Sequence, residues 1–89
     1  MKLVGLSRLE AFGKRHAAAM NDLVALAALI QAAGSTTAEA FAERLPHLVV
    51  EIRGSEVELM LSNGRCRIVL HFAETLDTVY VATISALRG

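Results

Sequence analysis

Apolar and polar residues alternate with a period of two from Val57 to Phe72, interrupted once by Asn63-Gly64. Alternation at that period marks a half-buried strand, and Asn-Gly readily adopts the two positive φ angles of a type I′ hairpin turn. Centring the turn there predicts the pairing. Ser62 faces Arg65, Leu61 faces Cys66, Leu59 faces Ile68 and Val57 faces Leu70. The opposite face then receives Glu56 across from His71, Glu58 across from Val69 and Met60 across from Arg67. A slip by one residue would mix the two sets, so the pattern specifies register as well as strand identity.

Upstream the period is helical. Ser7 and Glu10 have the spacing of a capping box, which predicts a first helix from Arg8. Leu9, Phe12 and His16 would lie on its buried side, with Gly13 a weak point. Asn21-Asp22 is a second capping signal, where a new helix begins or one helix bends. Leu23, Leu26, Ala27 and Ile30 follow helical spacing, and Gly34 is placed to close that helix. Thr36 and Glu39 repeat the capping box and open a short helix through Phe41 that stops before Pro46.

Lys2-Leu3-Val4 suits a short opening strand. From Leu48 the period returns to two, with Leu48, Val50 and Ile52 on one side and His47, Val49, Glu51 and Arg53 on the other. Gly54-Ser55 would turn or bulge this strand. Thr78 to Ile84, rich in β-branched and aromatic residues, reads as the last strand. Helices first and a meander afterwards predict an α+β fold, its N-terminal helices packed on one face of a small antiparallel β-sheet.

Composition narrows the possibilities. The 89 residues suffice for one core, so 1–89 reads as a single domain. The longest apolar run, Leu23 to Ile30, is too short for a bilayer span, and the opening residues lack a signal peptide's apolar stretch. The expected location is the cytoplasm, with no membrane partner. The lone Cys66 falls on an inward strand face and reads as a small core residue. A formal charge of zero argues against nucleic-acid affinity from bulk electrostatics, though a local basic strip remains compatible.

Most familiar chemistries find no support. No two of His16, His47, His71 and Cys66 share a face at ligand spacing, so no metal site is expected. No strand-turn nucleophile motif and no phosphate-cradling glycine loop is present. What remains is the outward sheet face. Arg65, Arg67 and His71 project from one strand, with Met60 and Glu58 beside them, and Arg53 and His47 join if the preceding strand pairs alongside. On spacing alone this is a solvated face with ion pairs such as Glu56 with His71, each worth a few tenths to about 1 kcal/mol. Arginine beside histidine also suits RNA cleavage, the guanidinium holding phosphate while a general acid or base moves protons.

Several stretches together resemble the HigB branch of the RelE/ParE superfamily, the toxins of bacterial toxin-antitoxin pairs. Met1-Lys2-Leu3-Val4 and Ser7 through His16 resemble that family's short strand and first helix. Ser35-Thr36-Thr37-Ala38-Glu39-Ala40-Phe41 through Leu45-Pro46 resembles the segment before its sheet. Ser62-Asn63-Gly64-Arg65-Cys66-Arg67-Ile68-Val69 is similar to its hairpin, with Cys66 where a tyrosine is usual, and Val79-Tyr80-Val81 sits where its last strand runs. The resemblance implies a RelE-like fold and a metal-independent mRNA interferase, an endonuclease acting on the translating ribosome without a cofactor and held by an antitoxin protein. It further implies that Arg67 contacts the scissile phosphate, that His71 and Tyr80 assist, and that Arg53, Arg65 and Arg67 bind RNA. Ser85 stands where the family's terminal histidine falls, and the usual basic bias is missing. The alternatives are therefore a catalytically silent relative that keeps the fold as a protein-binding module, and an unrelated small structural protein from a mobile element.

Overall fold

The computed structural model describes residues 1–61, 64–75 and 77–87. In chain order the elements are β1 (Lys2–Val4), α1 (Leu6–Arg15), α2 (Ala17–Ala32), α3 (Ala38–Glu43), β2 (Val49–Arg53), β3 (Glu56–Leu61), β4 (Cys66–Phe72) and β5 (Thr78–Ala86). The strands form one sheet in the order β1-β5-β4-β3-β2. The fold is α+β, and β2 through β5 are the expected antiparallel meander. The sheet is nevertheless mixed, because β1 pairs parallel with β5. The helices carry the chain from the β1 edge to the β2 edge, and the meander walks back strand by strand. Its last strand therefore arrives beside the first, running the same way.

The central hairpin keeps its expected register. Val57 pairs Leu70, Leu59 pairs Ile68 and Leu61 pairs Cys66, while Glu56, Glu58 and Met60 pair His71, Val69 and Arg67. Gly64 takes a left-handed φ of 84° and its N–H donates to the Leu61 carbonyl at 3.2 Å. Ser62 and Asn63, and with them the Ser62–Arg65 pairing and half of the Asn-Gly turn, lie outside the described residues.

The helix boundaries correct most of the capping expectations. α1 starts at Leu6, not Arg8, because Gly5 turns the chain directly out of β1 with φ 101°. Its carbonyl accepts from the Arg8 and Leu9 amides at 3.0 and 3.3 Å, so the Ser7 hydroxyl caps nothing. The chain breaks at His16 (φ −132°, ψ 74°), and α2 runs unbroken through Asn21-Asp22. Those residues face solvent partway along it. His16 is exposed rather than buried, its ring 4.3 Å from that of Phe12. Gly13 is less a weak point than a contact: a Cβ there would meet Met20 Sδ at 2.6 Å. α2 ends at Ala32 with extended Ala33 as its cap, so Gly34 does not close it. Thr37 rather than Thr36 caps α3, its hydroxyl accepting from the Ala40 amide at 3.1 Å.

β2 departs from strict alternation. Its register against β3 shifts between Val49 and Glu51, so Val50 is thrown outward and 53% exposed. A bulge restarts the alternation one residue late, which puts Val49 and Ile52 rather than Val50 and Ile52 on one face. The core lies between helices and sheet. Leu9, Phe12, Leu23, Leu26, Ala27, Ile30 and Phe41 join Val57, Leu59, Ile68, Leu70, Phe72 and Val79 in one buried cluster. Cys66 belongs to it, as its inward position predicts. No helix among the described residues is long and apolar enough to cross a membrane.

Candidate functional site

With the helices covering one sheet face, the other presents the ionisable residues. Cross-strand register arranges them in rows. Val4, Tyr80, His71, Glu56 and Arg53 form one row, since β1, β5, β4, β3 and β2 pair at those positions. Thr83, Val69, Glu58 and Glu51 form the next, and Ser85, Arg67 and Met60 a third. The outward placement of Arg67 and His71 follows directly from the alternation along β4.

Two clusters result. In the first, His71 and Tyr80 are direct neighbours with ring centroids 6.2 Å apart, within the range of attractive aromatic pairs. Glu56 approaches His71 Nδ1 at 4.0 Å, the expected cross-strand pair. Tyr80 is 42% exposed. In the second, Glu58 sits between two arginines. Its Oε2 lies 3.4 Å from Arg67 Nε and its Oε1 3.6 Å from Arg53 Nη2. Arg53 also reaches Glu51 Oε2 at 2.5 Å, and so stands between two carboxylates that would otherwise repel across the β2–β3 pair.

Arg67 and His71 are four residues apart on one strand, roughly 13 Å along its axis. They share one face, and that length separates their Cα positions along the strand. Arg65 lies in the turn before β4, where with His16, Phe12 and Cys66 it lines a cleft of about 290 Å³ at the end of the sheet. His47 precedes β2 and is exposed there, away from the rows of the sheet. Burial pushes the Cys66 thiol above its ordinary value, with the Asp22 charge adding to it. The hydroxyls of Thr75 and Thr78 hold the Asp77 carboxyl below the usual range at the entry to β5.

Glu58 is the residue that pattern reading undervalued. It is only 9% exposed, a carboxylate between the buried Val57 and Leu59 on the interior strand β3. The signal was available in the register: Met60 opposite Arg67 puts Glu58 diagonally beside it. Among the described residues no group of three or more His, Cys, Asp or Glu could hold a metal ion. The groove between α1 and α2, about 250 Å³, is lined by Leu9, Met20, Leu23 and Val24 with Glu10 its one ionisable group, so the sheet face is the better candidate. Set against protein-family models, curated proteins and solved structures, the chain has no significant match among them.

Proposed function

We propose that this chain is a HigB-like toxin with a RelE-like fold, acting in the cytoplasm as a ribosome-dependent mRNA endonuclease and restrained by an antitoxin. The observation that supports this reading most is the shared exposure of Arg67, His71 and Tyr80 on one sheet face. Phosphodiester cleavage needs a proton removed from the attacking hydroxyl and another delivered to the departing oxygen. In this reading His71 and Tyr80, adjacent across β4 and β5, move these protons, with the Glu56 carboxylate 4.0 Å from His71 Nδ1. The Arg67 guanidinium supplies the charge that holds phosphate and stabilises its developing negative charge.

A second reading has its own observation. Glu58 already pairs Arg67, as suits a silent relative whose sheet face docks a protein. Induction in growing cells separates the two. The endonuclease reading expects arrest of growth and cuts in ribosome-bound mRNA, with Arg67→Ala lowering the cleavage rate about 10²–10³-fold. Arg67→Lys should restore activity in part, because an ammonium lacks the planar fork that grips two oxygens. Wild-type induction that leaves growth and mRNA untouched would sink the endonuclease and favour the binding module.

A further inference from the structure

Arg67 meets Glu58 through Nε, the inner nitrogen of its guanidinium. That approach is an ion pair at 3.4 Å and not a hydrogen bond, and it leaves the four N–H bonds of the two terminal nitrogens for a second anion. Glu58 in turn is shared, since Arg53 approaches its other oxygen and is itself drawn toward Glu51. The chain of contacts therefore alternates in sign from Glu51 through Arg53 and Glu58 to Arg67, with Arg67 at its positive end. A carboxylate divided between two guanidinium groups pulls less strongly on each. It also sits on an interior strand with little exposure, so it has few alternative positions.

From this arrangement we infer that Glu58 is a positioning residue, holding Arg67 by Nε so that its terminal nitrogens meet an incoming phosphate group. The inference rests on the endonuclease reading for the identity of the phosphate as a phosphodiester of RNA, and on the geometry alone for the anion. Its physical content is preorganisation. A free arginine side chain must give up rotamer freedom to grip an anion, whereas one already drawn toward a carboxylate has given up part of it on folding. His71 and Glu56 lie one row from Glu58 and two from Arg67, and do not enter the contact.

The test uses the whole chain labelled with nitrogen-15, the Arg67 Nε–H resonance being assigned by its loss in Arg67→Lys. In the wild type that proton should exchange with water more slowly than that of Arg65, and Glu58→Gln should remove the protection. Inorganic phosphate should shift the Arg67 signal, with affinity about tenfold weaker in Glu58→Gln and partly recovered in Glu58→Asp. In a translating extract Glu58→Gln should slow mRNA cleavage roughly 10-fold to 100-fold, and should change nothing further when added to Arg67→Ala. An unprotected Nε–H, an Arg67 signal indifferent to phosphate, or tighter phosphate binding in Glu58→Gln overturns the inference, the last because Glu58 would then mask Arg67. Protection and a phosphate response beside intact mRNA uphold the positioning role and overturn only the endonuclease.

Discussion

Glu58 and Arg67 approach diagonally across the β3–β4 pair, Oε2 lying 3.4 Å from Nε, although the residues directly opposite them are Val69 and Met60. Arg67 keeps 44% of its side chain exposed, so the pair is screened and worth at most about 1 kcal/mol. Arg67→Ala should accordingly lower stability by less than about 1 kcal/mol in urea, because Arg53 still faces the carboxylate. Arg53→Ala combined with Arg67→Ala should cost more than the two single changes together, since a nearly buried Glu58 then loses both partners. Strict additivity of the unfolding midpoints would show that water replaces them.

The face of α2 that meets the sheet is testable in the same assay. Leu26 is 4% exposed within the core cluster, and Leu26→Ala should cost about 2–5 kcal/mol as large-to-small core changes do. Val24, on the opposite side of the same helix, is 59% exposed. Val24→Ala should stay within about 0.5 kcal/mol, the range of surface substitutions. Similar losses at both positions would contradict the helix orientation.

Two glycines should respond in opposite ways. Gly5 has φ 101°, and a Cβ there would meet Val81 Cβ at 2.9 Å, a branched side chain fixed on a strand. Gly5→Ala combines a strained backbone, roughly 1–3 kcal/mol, with that clash, and should destabilise by at least about 2 kcal/mol. Gly34 lacks a positive φ and has nothing within 4 Å of a built Cβ. Gly34→Ala should leave stability unchanged or raise it by up to about 1 kcal/mol by restricting the unfolded chain. Thermal unfolding of the two variants settles the contrast.

Cys66 gives a pH dependence whose sign is determined by burial. Its folded pKa lies above the unfolded value near 9.0, so the neutral thiol is favoured by folding. The stability it contributes is fully present below the unfolded value and is lost as pH rises through the folded one. A thiol reagent at pH 8 should therefore label the native chain only as fast as it opens, and Cys66→Ala should flatten the alkaline loss of stability. Rapid labelling of the folded protein would show that the thiol is accessible.

The hairpin register, the buried stripe of α2 and the outward direction of Arg67 and His71 were legible in the sequence. Each depends on side-chain direction repeating every two or 3.6 residues, a property that short stretches carry by themselves. Capping was less legible, because Ser7 and Thr36 match the motif while the chain path selects Gly5 and Thr37. Nothing local indicates that β5 lies parallel to β1, since that depends on where the helical layer delivers the chain. The bulges belong to the same class. The β4–β5 register skips between Val69 and Leu70, leaving Ala82 unpaired, and Arg8 reaches across from α1 to donate to the Val81 carbonyl at 2.6 Å. The grouping of Tyr80 with His71, and of Glu58 with two arginines, likewise depends on strands that pair at long sequence separation. Periodicity assigns a residue to a face; only the packed sheet decides which residues from other strands share it.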